Sequence, residues 1–178
     1  DFSERNIVLA HRALEILFGL ESVKGAAGPF AHFVFKDTQC HAVAAHNPDG
    51  IRKCVQFLRH GKYTNFYKLI LMSLSKREPS DGLSMLKTVL SWAAEENAFL
   101  AVVGFDHPKA MSREQLEQLV EMIETGKRPN LRSNIKYFND ANEALQFSPQ
   151  TAANNAVLVL GSNYFIGSLA KNGPITRR

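Results

Sequence analysis

Several kinds of sequence feature are missing from this chain, and each absence excludes a class of protein. No apolar run approaches the roughly 18 consecutive residues that a membrane-spanning helix needs. The first residues are charged, which is not typical of a signal peptide. Only Cys40 and Cys54 are present, without the CxxC spacing of metal or redox motifs. We therefore expect a soluble, cytoplasmic protein with two free thiols and no membrane partner.

The common nucleotide-binding loops are also absent. The chain contains neither the GxxxxGK[ST] phosphate loop nor a GxGxxG motif, and the GxSxG elbow of hydrolases does not match at Ser162. By itself, the chain does not supply the usual nucleotide cradle. Basic residues exceed acidic ones only by 21 to 17, and they occur as scattered pairs. Because nucleic-acid binders usually concentrate positive charge on one face, we expect no nucleic-acid partner.

What the sequence does contain is an alternation of apolar strands and amphipathic helices. The pattern is typical of an α/β fold with a doubly wound, mostly parallel sheet flanked by helices. Asn47 before Pro48 and the later Ser112 are well placed as helix caps, and Ser3 can cap a first helix. Strands are expected at 33–35, 41–45, 69–74, 99–103, 135–138 and 156–160, and helices over 81–95, 114–125 and 141–147.

Ligands of open α/β sheets gather beyond the carboxyl ends of the strands, and four strand ends here carry polar residues. His46 and Asn47 lie on the first strand-to-helix turn, where backbone amides would face a bound anion. An equally good interpretation makes Asn47 a simple helix cap and His46 a surface residue. After the next strand, Lys76 and Arg77 could meet phosphate or carboxylate, although a solvated pair is the commoner outcome.

The other two strand ends carry a different set of groups. Asp106, His107 and Lys109 are expected to point into one crevice. Asp106 with His107 would suit acid–base or metal chemistry, but no third ligand stands at metal-site spacing, so no metal site is predicted. After the last strand, Gly161 would allow the backbone to approach a ligand closely, and Ser162 can donate a hydrogen bond.

Taken in order, these turns resemble the carboxyl-terminal domain of the folylpolyglutamate synthase/dihydrofolate synthase family, in the Mur-ligase superfamily. The family's Asp-Gly-Ala-His-Asn-Pro segment is similar to residues 43–48, Val-Ala-Ala-His-Asn-Pro. Its hPRA-type turn resembles residues 106–110, Asp-His-Pro-Lys-Ala. Its final strand with a Gly-Ser-x-Tyr turn resembles residues 157–164, with Gly167 also in register. The likeness covers about residues 33–170.

The resemblance implies an ATP-dependent ligase that activates a folate or dihydropteroate carboxylate as an acyl phosphate, which the amino group of glutamate then attacks. ATP and magnesium would be bound mainly by an upstream domain, and we expect a monomer. His46 and Asn47 would face the nucleotide, and Ser162 and Tyr164 would lie on the glutamate side. The expected cleft residues are Lys76, Asp106, His107 and Lys109.

The resemblance also implies a division of the chain. Residues 1–24 would be the last helix of a preceding central ATPase domain, and residues 25–32 would be a hinge. Residues 33–178 would form the carboxyl-terminal glutamate-ligase-type α/β domain. On this view the fragment is inactive alone, because the phosphate loop is missing.

Two departures from the family pattern leave other functions open. Val43 and Ala44 stand where the family has Asp and Gly, and residues 28–32 lack the arginine that the family's hinge carries. A degenerate ligase-like domain with a binding or scaffolding role is therefore an alternative. A peptidoglycan Mur ligase is a second alternative, less favoured because the turns at 107–108 and 161–164 look more like those of the folate branch.

Overall fold

The computed structural model describes residues 30–61, 63, 66–125, 134–147 and 156–172 of the chain. The expected first helix and residues 25–29 of the expected hinge lie outside this part. The last two hinge residues, Ala31 and His32, are the first two residues of a strand. None of the described helices is long and apolar enough to cross a membrane.

Six strands form one mixed sheet. In chain order they are β1 (Ala31–Phe35), β2 (Thr38–Val43), β3 (Leu69–Ser73), β4 (Phe99–Val103), β5 (Ile135–Phe138) and β6 (Val157–Gly161). Their spatial order is β1-β2-β6-β3-β4-β5, and all neighbours are parallel except β1, which runs antiparallel to β2. The predicted α/β architecture with a mostly parallel sheet is confirmed.

Helices cover both faces of this sheet in the part of the chain that the structure describes. They are α1 (Pro48–His60), α2 (Pro79–Glu95), α3 (Arg113–Glu124), α4 (Ala141–Phe147) and α5 (Asn163–Asn172). On one face, α2 packs against both α1 and α3. On the opposite face, α4 packs on β4 and β5, while α5 packs on β6 and β1. The sheet is therefore doubly wound, as predicted.

Strand β3 shows why both faces need helices. All five of its residues are buried. Ile70 and Met72 belong to the core beneath α1, α2 and α3, whereas Leu69 and Leu71 belong to the core beneath α4 and α5. A strand that is apolar on both faces is typical of a parallel sheet and cannot face water on either side.

The hairpin at one edge of the sheet was not foreseen as antiparallel. Strand β2 begins at Thr38 and ends at Val43, so it lies earlier in the chain than the expected strand at 41–45. Lys36 and Asp37, which join β1 to β2, both have positive φ angles, 50° and 62°. Two successive left-handed residues are typical of a tight two-residue hairpin turn, and this turn sends β1 back along β2.

Two predicted helix caps are confirmed. The Asn47 Oδ1 accepts a hydrogen bond of 2.7 Å from the Gly50 amide, immediately before Pro48 opens α1. Ser112 and Gln115 form a capping box at the start of α3, in which each side chain bonds the other residue's amide. Such caps satisfy amides that otherwise have no partner in the first turn of a helix.

Helix α5 corrects an expected turn. The residues after β6 were expected to form a Gly-Ser-x-Tyr turn, but a helix begins at Asn163. The Ser162 Oγ accepts from the Tyr164 amide at 3.2 Å, and the Ser162 carbonyl accepts from the Ile166 amide at 3.0 Å. Ser162 therefore occupies the cap position of α5. Gly167 in its interior lowers helix propensity and conceals the helical pattern.

The direction of the chain changes at β6. Helices α1, α2 and α3 connect β2 through β5 on one face, and α4 returns the chain on the other face to β6, between β2 and β3. The chain then leaves β6 toward the α5 face, whereas it leaves β2 and β3 toward the α1 and α2 face. The loops at the carboxyl ends therefore diverge around β6. Open α/β sheets bind ligands in the crevice that such a divergence creates.

Candidate functional site

The loops that follow β2, β3, β4 and β6 meet at the carboxyl ends of these strands. They contain all eight residues that the sequence marked as site residues. The parallel register brings the four strand ends to the same level of the sheet, since β6 pairs with both β2 and β3, and β3 pairs with β4. We call this surface the carboxyl edge; it comprises residues 44–47, 74–78, 104–111 and 161–164.

The first turn of the carboxyl edge lies at the start of α1. His46 and Asn47 are both exposed, and the side-chain oxygen of Asn47 is used to cap the helix. The cap interpretation of Asn47 is therefore confirmed. Because the first turn of a helix carries partial positive charge, the same cap places His46 and the amides beside it where an anion is stabilised.

Gly161 lies directly against the neighbouring strand β3. Its φ angle is +108°, and a Cβ at this position would collide with the carbonyl oxygen of Ser73 in β3. The neighbouring Ser162 amide donates to that same oxygen at 3.1 Å. Gly161 therefore permits close approach to a neighbouring strand of the protein itself. Its expected approach to a ligand stays a prediction.

Ser162 is almost fully buried, with 1% of its surface exposed. Its Oγ lies 2.6 Å from the Oγ of Ser75, and either hydroxyl can donate. Because the same Ser162 oxygen accepts from the Tyr164 amide, the serine pair links the end of β3 to the start of α5. The sequence did not single out Ser75. The polar residues that follow the apolar run of β3 could have indicated it.

Two of the expected cleft residues meet on Tyr164. The rings of His107 and Tyr164 stack with centroids 4.2 Å apart, and the Lys109 Nζ donates to the Tyr164 hydroxyl at 2.9 Å. This hydrogen bond raises the pKa of Lys109. The Lys109 amide donates to the Nδ1 of His107 at 3.1 Å, so the neutral imidazole carries its proton on Nε2. The three side chains form one polar and aromatic group, in which Lys109 and Tyr164 are exposed and His107 is half-buried.

The other two expected cleft residues do not join that group. Asp106 is exposed, and its carboxylate forms no hydrogen bond or ion pair with any residue that the structure describes. Lys76 is also exposed and is anchored through its backbone, whose amide donates to the Lys109 carbonyl at 2.8 Å. Within the described ranges, no three His, Cys, Asp or Glu side chains are grouped as metal ligands.

Arg77 contradicts the expectation of a solvated pair. Its guanidinium is half-buried, with Nη1 donating to the His46 carbonyl at 2.6 Å and Nε donating to the Ser75 carbonyl at 2.9 Å. The Nη1 also lies 3.0 Å from the Sδ of Met85 in α2. Burial lowers the pKa of Arg77, and the nearby Asp81 acts in the opposite direction.

The turn that contains Arg77 connects the whole carboxyl edge. Each residue of the segment 75–77 bonds a different neighbouring loop: one through a hydroxyl, one through a backbone amide and one through a guanidinium. We call this segment the three-way turn. Its partners, in chain order of the turn, are Ser162 after β6, Lys109 after β4 and His46 after β2.

Comparison with solved structures finds the same fold in folylpolyglutamate synthases. The Thermotoga maritima enzyme aligns with a TM-score of 0.53 and 18% identity, over 80% of this chain and 29% of its own. The Mycobacterium tuberculosis enzyme, solved with ADP and AMPPCP, gives 0.52 and 16%, over 85% and 30%. The ligand-free bifunctional folylpolyglutamate synthase/dihydrofolate synthase from Yersinia pestis gives 0.51 and 18%, over 84% and 31%. The chain thus spans about 30% of the length of these structures.

Comparison with curated proteins finds no match. A family model does match, and it covers residues 35–163, which is well over half of the chain. The matched segment contains β2 through β6 and ends inside the carboxyl edge at Asn163. The chain belongs to the family described as "Mur ligase, glutamate ligase domain".

Proposed function

We propose that this chain is the glutamate-ligase domain of an ATP-dependent ligase that adds glutamate to a folate or dihydropteroate carboxylate through an acyl phosphate. The observation that carries the proposal is the three-way turn, residues 75–77, which joins the loops after β2, β4 and β6 into one bonded group. Family membership supports the ligase class, and the folate branch follows from the resemblance of residues 43–48, 106–110 and 157–164.

The nucleotide would lie at the start of α1. There the partial positive charge of the helix and the exposed His46 imidazole favour phosphate oxygens. The Asn47 cap holds the first turn of α1 in place, since its Oδ1 bonds the Gly50 amide. His46 and Asn47 would thus bind and orient the nucleotide together, the first by contact and the second by fixing the turn.

Glutamate would lie between β6 and the loop after β4. Its carboxylates need cationic and hydroxyl donors, and the Lys109 ammonium and Tyr164 hydroxyl, 2.9 Å apart, present both on one exposed surface. His107 stacks on Tyr164 and restricts the position of its ring. Lys76, exposed on the adjacent loop, would add a second positive charge. These side chains would orient the glutamate amino group toward the acyl phosphate.

Magnesium would be bound mainly by an upstream domain, as the family resemblance implies. ATP would bring the phosphoryl group that activates the substrate carboxylate. The contribution of the carboxyl edge is positioning and charge neutralisation, and mutual orientation of reactants accounts for a large part of the rate of such reactions.

The proposal is tested on the longest polypeptide that the gene encodes, by measuring ADP formation with a folate, dihydropteroate or a muramoyl peptide as acceptor. We expect ADP formation that requires both glutamate and a folate-type acceptor. Lys109→Met should raise the KM for glutamate by roughly tenfold to a hundredfold, since a charged hydrogen bond contributes about 1.5–3 kcal/mol. Lys87→Met, which removes an exposed lysine from α2, is the matched control.

Other outcomes of this assay identify the alternatives. Activity with the muramoyl peptide alone would assign the chain to a peptidoglycan ligase. Absence of activity with every acceptor, in a folded protein, would contradict the ligase proposal and favour a degenerate binding domain. The burial of Val43 in the core, at the position where the folate family has aspartate, is the observation that keeps this second function open.

A further inference from the structure

We propose that Arg77 is a positioning residue that holds the His46–Asn47 turn in its nucleotide-binding orientation; this inference rests on the proposed function of that turn. The guanidinium joins two loops that the sheet does not bring next to each other. β2 and β3 are separated by β6, so no backbone ladder connects the loops that follow them. Among the described residues, the 2.6 Å bond from Arg77 Nη1 to the His46 carbonyl spans this gap.

The geometry of Arg77 is fixed from several sides. Its Nε donates to the Ser75 carbonyl, so the guanidinium plane is set by its own turn before it reaches His46. Met85 of α2 packs on the same group, with its Sδ 3.0 Å from Nη1. A planar guanidinium with donors in fixed directions, held at two of them, gives the third group one defined position. A free surface arginine would impose no such constraint.

The bond reaches the part of the turn that matters for an anion. Arg77 bonds the backbone of His46, and this leaves the imidazole exposed and able to contact phosphate. His46 immediately precedes the cap residue Asn47, so a shift of its carbonyl displaces the cap and the first amides of α1. Arg77 therefore acts on the nucleotide through His46, without itself touching the ligand.

The same residue connects the nucleotide side to the glutamate side. Ser75, whose carbonyl accepts from Arg77, places its Oγ 2.6 Å from the Oγ of Ser162. Ser162 in turn caps α5 through the Tyr164 amide. A series of hydrogen-bonded residues thus runs from His46 through Arg77, Ser75 and Ser162 to Tyr164.

The experiment measures ADP affinity by calorimetry in the longest polypeptide that the gene encodes, comparing Arg77→Met and Arg77→Lys with wild type. We expect Arg77→Met to weaken ADP binding about tenfold, the equivalent of one hydrogen bond from a charged donor. Arg77→Lys keeps the charge and one donor, so its affinity should lie between the two. The control is Arg59→Met at the other end of α1, where the guanidinium forms two hydrogen bonds with Glu95. It should leave the affinity within about twofold of wild type, since the pair is exposed.

A second readout separates positioning from general destabilisation. In the unliganded protein, the amide resonances of His46, Asn47 and Gly50 should shift in Arg77→Met and not in Arg59→Met, with both variants folded at the temperature used. If wild type binds ADP and Arg77→Met binds it with equal affinity, the positioning role alone is overturned. Failure of wild type to bind ADP would overturn the proposed nucleotide site, and the role of Arg77 with it.

Discussion

Two regions of this molecule each pair a histidine with a tyrosine, and they do so in opposite surroundings. At the carboxyl edge, His107 stacks on the exposed Tyr164, whose hydroxyl bonds a lysine. On the α1 face of the β1–β2 hairpin, the Nδ1 of His41 lies 2.9 Å from the hydroxyl of the buried Tyr67. We call the second region the aromatic cluster; it comprises Phe30, His32, His41, Phe57, Tyr63, Phe66 and Tyr67.

Burial of the tyrosine, more than residue type, decides what such a pair does. In the aromatic cluster, rings surround His41, and burial together with the neighbouring His32 lowers its pKa to about 4. The imidazole is neutral at physiological pH and serves the packing. At the carboxyl edge the same residue types remain at the surface, and polar bonds between loops hold them in place. They are therefore available to a ligand.

The largest expected effect concerns the backbone of the carboxyl edge. Gly161→Ala should lower the free energy of unfolding by about 3 kcal/mol or more, because a Cβ meets the Ser73 carbonyl and the φ angle is left-handed. Urea unfolding of the 178-residue chain measures the change. Ser73→Ala is the control: it removes a buried hydroxyl with no hydrogen-bond partner among the described residues, so it should cost less than about 1 kcal/mol. Equal midpoints for Gly161→Ala and wild type would contradict the close approach of the two strands.

A matched pair of substitutions tests the comparison directly. Tyr67→Phe should lower the free energy of unfolding by about 1–3 kcal/mol, because it leaves the half-buried Nδ1 of His41 without its partner. Tyr164→Phe removes the same atom from an exposed ring and should change stability by less than about 0.5 kcal/mol. Thermal or urea unfolding measures both. Equal losses would mean that the carboxyl edge is as much a packing element as the aromatic cluster.

The pH dependence of stability tests the burial of His41 in the aromatic cluster. The pKa of His41 is lower in the folded chain than the ordinary value of about 6.5, so between pH 6.5 and 4 the unfolded chain binds more protons. The contribution of His41 to stability is therefore present above pH 6.5 and lost as the pH falls toward 4. Allowing for the partial exposure of His41, we expect its contribution to the free energy of unfolding to be about 2 kcal/mol.

A glutamine variant provides the check. His41→Gln should remove this part of the pH dependence, as measured by urea unfolding at several pH values. A wild-type profile retained in His41→Gln would show that other groups cause the acid sensitivity.

The smallest expected effect concerns the two cysteines, which should not react with a thiol reagent in the folded chain. Burial raises the pKa of Cys40 and of Cys54 to about 12, so neither forms a thiolate at pH 8 in the folded chain. Titration with a thiol-specific reagent should label no cysteine until denaturant is added, and two afterwards. Rapid labelling of Cys54 without denaturant would show that α1 opens beside the aromatic cluster.

Much of the fold could be predicted from apolar periodicity. The run at 99–103 is apolar throughout and is buried from both sides, so it matches β4 at both ends. The helix after β6 was missed, because Gly167 in its interior weakens the helical pattern. The antiparallel hairpin was missed because its turn residues, Lys36 and Asp37, include no glycine. Their left-handed backbone is set by the strands they join.

The residues of the candidate site, too, could be predicted only in part. In a parallel sheet, ligands bind at the carboxyl ends of the strands. His46, Lys109 and Ser162 follow such ends and could therefore be named from the sequence. Arg77 could not be assigned, because its partner His46 lies 31 positions away and the contact depends on the order of the strands. Local pattern indicates which residues face the crevice, but long-range bonds decide which of them are held in place.

The most direct test of the account is residue-resolved amide hydrogen exchange in the longest polypeptide that the gene encodes, with and without ADP and glutamate. We expect the ligands to slow exchange in the carboxyl edge and in the first turn of α1, above all at residues 46, 47, 49, 50 and 75–77. The amides of His41 and Tyr67 in the aromatic cluster should be unchanged. Protection centred on the aromatic cluster, or none at the carboxyl edge under saturating ligand, would contradict the account.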